Sequence, residues 1–162
     1  MGDTEIVGID FGGVRARGPA HRVSEGVYRL AYSPWAANFA DIELYVGDVI
    51  ETEVAEHGWR RFTRVVERSD YTHAGTVVGP TFLESDSFVA FVTALQAAGG
   101  TWEVPINGWL LTHVPPNCPF DVYRELDHQI QAFIAAGGRF GFRAGEVPRQ
   151  DEANGRAAED DA

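Results

Sequence analysis

The chain is poor in cysteine, in basic residues and in long apolar runs, and each shortage excludes a class of protein. Its single cysteine, Cys118, excludes an internal disulfide and a cysteine-rich zinc site. No segment approaches the roughly 18 consecutive apolar residues that a membrane span requires. The N-terminus has neither a basic region nor an apolar signal core. We therefore expect a cytoplasmic protein without a metal or other cofactor.

The shortage of basic residues leaves the chain strongly acidic. Its 162 residues include 24 acidic and 13 basic side chains, which give a net charge of −11 at pH 7. This charge repels phosphate backbones and anionic lipids, so nucleic acids and membranes are poor partners. Part of it lies in residues 146–162, which lack apolar periodicity and aromatic side chains. We predict that this acidic segment is a disordered tail.

The remaining sequence, in a chain that is 44% hydrophobic and 12% aromatic, predicts two small α+β lobes, residues 1–70 and 71–145. The first lobe has no helical apolar stripe, and the turn Glu56-His57-Gly58 predicts a hairpin between its last two strands. A small curved β-sheet or barrel is therefore expected. Its predicted strands are Glu5–Phe11, Val27–Tyr32, Asp48–Val54 and Arg61–Glu67.

The sequence of the second lobe predicts a ferredoxin-like sandwich, because its predicted elements follow the order β-α-β-β-α-β. A strand at 74–78 precedes an amphipathic helix that ends at Gly99-Gly100, and the turn Asn107-Gly108 joins two further strands. A second helix, capped by Asn117, precedes a last strand. These predicted elements are a helix at 86–98, strands Thr101–Ile106 and Trp109–Val114, a helix at 119–136 and a strand at 139–143.

Several short blocks resemble the DUF4265 family of uncharacterised bacterial proteins. The blocks are Gly47-Asp48-Val49, the segment 65–69 (VVERS), Gly99-Gly100 with Thr101-Trp102-Glu103, and His113-Val114 with Pro115-Pro116. The resemblance extends over residues 27–143, and Ser33-Pro34-Trp35 replaces the usual "iPf" of the family. The resemblance implies the same two-lobe layout. It implies no activity, because the family has none assigned.

No residue pattern indicates a catalytic centre or a metal site. Asp70 and His73, with His57 nearby, lack the spacing of metal ligands, and Cys118 follows His113 by five residues without a motif that fixes their geometry. The segment 8–13 (GIDFGG) superficially resembles a phosphate loop, but a strand followed by a Gly-Gly turn is the better interpretation. A small enzyme using Asp70, His73 and Cys118 is therefore an alternative and not the main prediction.

Arginines and tryptophans supply the candidate binding residues. Strand alternation predicts that Arg60, Arg64 and Arg68 share one face close to Trp59. This cluster binds either an anionic ligand or the acidic residues of the same hairpin, Glu51, Glu53, Glu56 and Glu67. Trp35, beside Pro34, is a candidate anchor for a partner, and His73 is a candidate at the junction of the lobes.

These observations predict a non-catalytic binding or regulatory protein with an acidic surface. The expected partner is a basic protein, attracted by charge, or a small anionic ligand. The alternative functions are a small-ligand sensor that uses the ferredoxin-like lobe or the cleft between lobes, and the small enzyme described above. The sequence leaves the oligomeric state open.

Overall fold

The computed structural model describes residues 4–106 and 108–139 as a mixed α+β protein, in which most regular elements are strands. The chain divides into two compact units, one through Tyr71 and one from Thr72. The predicted tail, most of the predicted last strand and Asn107 of the predicted turn lie outside the described residues. No helix within the described part is long and apolar enough to cross a membrane.

The first unit is a closed barrel of five strands, in sequence order. Consecutive strands are antiparallel, and the barrel closes through a short parallel pairing of β1 with β5. Two short 3₁₀ turns, Trp35–Ala40 and Glu56–Gly58, lie before β4 and β5. The strands are β1 (Thr4–Asp10), β2 (Arg15–Ser24), β3 (Val27–Leu30), β4 (Val49–Val54) and β5 (Arg60–Glu67).

Strand β2 was not predicted, because its inward residues are too small to produce an apolar alternation. They are Ala16, Gly18 and Ala20, and the last two are buried. A Cβ atom on Gly18 would collide with the ring of Tyr32. The strand therefore carries glycine where a neighbouring aromatic ring occupies the space, and large side chains from other elements fill this part of the core.

One end of the barrel is held by the buried carboxylate of Asp48. The backbone N–H of Ser69 donates to its Oδ1 at 2.7 Å, and Arg68 Nη1 donates to its Oδ2 at 3.0 Å. The backbone N–H of Tyr45 donates to the same Oδ2 at 3.1 Å. A carboxylate that is removed from water requires such partners. Asp48 therefore fixes the start of β4 against the chain that leaves β5.

The second unit is a three-stranded antiparallel sheet, in the order β6, β8, β7, packed against helices. Its core joins one sheet face to α2 and α3 through Phe91 and Leu95, which are fully buried, and through Leu110 and Leu126. The elements are β6 (Thr72–Val77), α1 (Pro80–Leu83), α2 (Asp86–Ala97), β7 (Thr101–Ile106), β8 (Trp109–Val114) and α3 (Val122–Ala135).

Helix α3 begins later than the sequence predicted. Its N-cap is Asp121, whose Oδ1 accepts a hydrogen bond from the backbone N–H of Arg124 at 3.0 Å. Asn117, the predicted cap, has φ of +62°, whereas an N-cap residue has an extended backbone. Asn117 therefore belongs to the turn before the helix, and Pro119 lies outside the helix.

Candidate functional site

Three charged side chains form a row across the outer face of the barrel. Asp10 of β1 pairs with Arg15 of β2 on one side and with Arg61 of β5 on the other. Because Val7 and Ile9 point into the core, alternate residues of β1 point outward, and Asp10 is one of them. The register therefore places one carboxylate between two guanidinium groups.

Trp59 lies beside this row and across β1. A Cβ atom built on Gly8 would lie 2.8 Å from Trp59 Cε3, so the indole ring occupies the space that a side chain at position 8 would fill. Gly8 pairs with Arg17 of β2. The guanidinium carbons of Arg17 and Arg15 lie 4.6 Å and 5.0 Å from the centroid of the Trp59 ring. Both distances are within the range of cation–π attraction.

We call this surface the arginine patch and define it by Arg15, Arg17 and Arg61 together with Trp59 and Asp10. The glycines of the adjoining turn and the tip of the β4–β5 hairpin complete a cavity of about 620 Å³ beside it. That cavity is lined by Asp10, Gly12, Gly13, Arg15, Val54, Ala55, Glu56, Trp59 and Arg61. The lining has two arginines and two carboxylates, and Arg17 lies next to it against Trp59.

Two arginines of the patch differ from the other arginines of the barrel. Within residues 4–106 and 108–139, Arg17 and Arg61 form no ion pair, although Glu53 lies opposite Arg61 in the β4–β5 register. Arg60 donates to Thr52 Oγ1 at 2.8 Å instead of to a carboxylate. The ion-paired arginines are Arg15 with Asp10, Arg22 with Glu5, Arg29 with Glu67, Arg64 with Glu51 and Arg68 with Asp48.

Asp10 also shapes the turn after β1. Its Oδ1 accepts a hydrogen bond from the backbone N–H of Gly13 at 2.7 Å, and its Oδ2 accepts one from Arg15 Nε at 3.3 Å. The Gly13 hydrogen bond lowers the pKa of Asp10 most, Arg15 lowers it further, and burial opposes both. The carboxylate is therefore charged at neutral pH. The segment 8–13 is a strand followed by a Gly-Gly turn, as its sequence indicated.

The predicted cluster of Arg60, Arg64 and Arg68 does not form one face. Phe62 and Val65 both pack against the barrel core although they are three residues apart, because the β4–β5 register shifts between them. Arg60 points toward the ring of Tyr28, with its guanidinium carbon 5.1 Å from the ring centroid. Arg64 binds Glu51, and Arg68 binds Asp48. Of the predicted arginine and tryptophan cluster, only Trp59 lies in the arginine patch.

Trp35 lies at the start of the first 3₁₀ turn and is half-buried. Its ring meets that of Phe39 edge to face, with 6.4 Å between centroids. Phe39 is 61% exposed. The pair places an aromatic edge at the surface of the first unit, where the sequence predicted an anchor.

A second polar cluster lies in the sheet of the second unit. His113 is completely buried, and its Nε2 lies 2.7 Å from Glu103 Oε1. Its Nδ1 lies 2.8 Å from Nδ1 of His73, which is its cross-strand partner. A carboxylate only accepts, so Nε2 of His113 donates to it. The two Nδ1 atoms of His113 and His73 share the second hydrogen bond of the buried ring. No sequence pattern indicated this hydrogen-bonded row, because His73, Glu103 and His113 lie on three different strands.

Cys118 has a partner of its own. Its Sγ donates to the carbonyl oxygen of Ala98 at 3.2 Å, whereas both ring nitrogens of His113 are engaged by Glu103 and His73. Cys118 and His113 therefore have other hydrogen-bond partners, and they do not bond to each other. Asp70 is exposed, at the end of the first unit. Among the described residues, no group of three or more His, Cys, Asp or Glu side chains has the arrangement of a metal site.

Comparisons with known proteins add a single structural likeness. No family model matches the chain, and no curated protein matches it. One solved structure, described as the novel crystal structure of a hypothetical protein from Neisseria gonorrhoeae, is 14% identical in sequence, with a TM-score of 0.46. The match covers 85% of this chain and 91% of that one.

The lowered pKa of Asp10 predicts a pH-dependent contribution to stability. Because the folded-state pKa lies below the unfolded one, the stabilisation is present above the unfolded-state pKa and is lost as the pH falls through the folded-state pKa. Asp10→Asn should therefore reduce the free energy of unfolding at pH 7, by less than about 1 kcal/mol for an exposed ion pair. Urea unfolding over a pH series checks this. A deficit that grows at acidic pH would contradict it.

The hydrogen bond from buried His113 to Glu103 predicts that two substitutions of Glu103 will differ in their effect on the free energy of unfolding. Glu103→Ala leaves the Nε2–H of His113 without this acceptor and should cost about 1–3 kcal/mol of unfolding free energy. Glu103→Gln keeps an acceptor oxygen and should cost clearly less. Chemical denaturation of both variants provides the comparison. Equal losses would show that the hydrogen bond to His113 contributes little.

Proposed function

We propose that this chain is a non-catalytic binding protein whose barrel unit binds a small anionic ligand at the arginine patch. One observation carries the proposal. In a chain with 24 acidic residues, two barrel arginines form neither an ion pair nor a side-chain hydrogen bond within the described part. These are Arg17 and Arg61, and both belong to the patch. Carboxylate and phosphate groups match the planar donor fork of a guanidinium.

The surroundings of the patch support a small ligand over a polyanion. Asp10 and Glu56 line the same cavity as Arg15 and Arg61, so an extended phosphate backbone would also meet two like charges there. A ligand that fits within about 620 Å³ can contact the guanidinium groups without extending over these carboxylates. This size is typical of sites for small molecules.

Binding at the patch can be tested by ligand-induced stabilisation. Small carboxylates, at matched ionic strength, should raise the melting temperature of the wild type, because a ligand that binds only the folded state stabilises it. The double substitution Arg17→Gln with Arg61→Gln should abolish this rise. Arg22→Gln, which removes an ion-paired arginine of β2 outside the patch, should preserve it.

Two results would contradict the proposal. Equal stabilisation of the wild type and the double variant would place the binding elsewhere. Stabilisation by a cationic peptide and by no carboxylate would favour instead the basic protein partner that the net charge of −11 predicts.

For the second unit, we propose the ferredoxin-like arrangement that the sequence predicts. The strand order β6, β8, β7 is the order expected for its first three strands. Thr81 Oγ1 donates to the carbonyl oxygen of Arg139 at 3.0 Å, so the chain after α3 returns close to the residues that follow β6. A fourth strand would then pair with β6. Amide hydrogen exchange should find every β6 amide protected, and fast exchange at alternate β6 residues would contradict the arrangement.

Membership of the DUF4265 family remains a proposal based on the short sequence blocks. Two of these blocks meet through the Asp48 carboxylate, which binds Arg68 and the backbone of Ser69. A Cβ atom on Gly47 would lie 2.5 Å from Ser69 Oγ. A solved structure of a family member that lacks this contact would argue against membership.

A further inference from the structure

We infer that the ligand of the arginine patch is a small dicarboxylate, with one carboxylate group for each of Arg17 and Arg61. The inference rests on the proposed function and specifies the chemistry of its ligand. It depends on the spacing of the two unpaired arginines, on the carboxylate between them and on the position of Trp59.

The two unpaired guanidinium groups start from opposite sides of a three-strand surface. Arg61 is on β5 and Arg17 is on β2, with β1 between them. Neighbouring strands lie about 4.8 Å apart, and the positions on β1 opposite the two arginines, Gly8 and Asp10, are two residues apart. The two backbone positions are therefore separated by about 12 Å along a diagonal. Each arginine therefore reaches a ligand from its own side. A ligand with two anionic groups joined by a short spacer satisfies both arginines.

Asp10 occupies the centre of this surface. Its carboxylate is held between the backbone N–H of Gly13 and Arg15 Nε. It repels an anionic group placed directly over β1, since like charges at close range are unfavourable. A single compact phosphate shared by Arg17 and Arg61 would come to this central position. Two carboxylate groups placed on either side of Asp10 avoid this repulsion.

Trp59 acts as a positioning residue for Arg17. Its ring lies against Gly8, where an added Cβ would be only 2.8 Å away, and it stacks with the guanidinium of Arg17. A cation–π contact with an indole does not use the N–H donors of a guanidinium in hydrogen bonds, so they stay available for a carboxylate. An aromatic ligand is therefore not required, and an aliphatic dicarboxylate suffices.

Isothermal titration of the full chain with succinate, acetate and inorganic phosphate tests the inference. Succinate should bind at least about tenfold more tightly than acetate, a difference that one additional charged contact readily supplies. Arg17→Gln and Arg61→Gln should each weaken succinate binding by about tenfold and leave acetate binding changed by less. Arg22→Gln should bind all three anions as the wild type does.

The titration separates failure of the inference from failure of the proposed function. Acetate binding that equals succinate binding, or phosphate binding that exceeds it, would overturn the dicarboxylate assignment if Arg17→Gln still weakens binding. Absence of binding by all three anions, or binding that neither arginine substitution affects, would overturn the anion site itself.

A matched pair of substitutions tests the role of Trp59. Trp59→Phe retains a ring for Arg17 and should preserve most of the affinity for succinate, whereas Trp59→Ala should weaken it by about tenfold. The double variant Trp59→Ala with Arg17→Gln should be no weaker than Arg17→Gln alone, because the ring acts through this arginine. Additive losses in the double variant would show that Trp59 contacts the ligand directly.

Discussion

The arginine patch depends on the short parallel pairing by which β1 and β5 close the barrel. Only two residue pairs form this contact, Ile9 with Arg60 and Asp10 with Arg61. They bring Arg61 into the row of Asp10, and they place Trp59 where its ring covers Gly8 and reaches Arg17. The arginine patch therefore results from strand register, and a shift of one residue would turn Arg61 into the core and Arg60 toward the solvent.

The register of β5 is also fixed at its other end. Asp48 is 1% exposed and binds Arg68 and the backbone of Ser69 immediately after the strand. Removing one partner of a buried charge is much more costly than removing an exposed ion pair. The Asp48 contact thus has a structural role, while the exposed arginines of the patch contribute little to stability and are available for binding.

The sequence predicted the elements whose apolar periodicity is strong, and it failed where the pattern is weak or the contact is distant. Strands Thr101–Ile106 and Trp109–Val114 and the mixed α+β class are confirmed. Strand β2 was missed because its inward residues are small, and the face proposed for Arg60, Arg64 and Arg68 was wrong because a register shift interrupts β5.

The candidate site was predicted only in part. Trp59 was selected as a binding residue, but its partners Arg15 and Arg17 lie more than 40 positions away and join it only through barrel closure. The alternation of Arg15 and Arg17 with Ala16 and Gly18 was the one local signal of an exposed arginine face.

The most direct test of anion binding at the arginine patch is a map of the amide and indole chemical shifts of the protein during a titration with succinate. A site at the arginine patch predicts saturable shifts confined to residues 8–17 and 54–61, including the indole N–H of Trp59. Signals of the His73, Glu103 and Cys118 region should stay unchanged. Shifts that centre on the second unit, or that spread evenly over the surface, would contradict an anion-binding barrel.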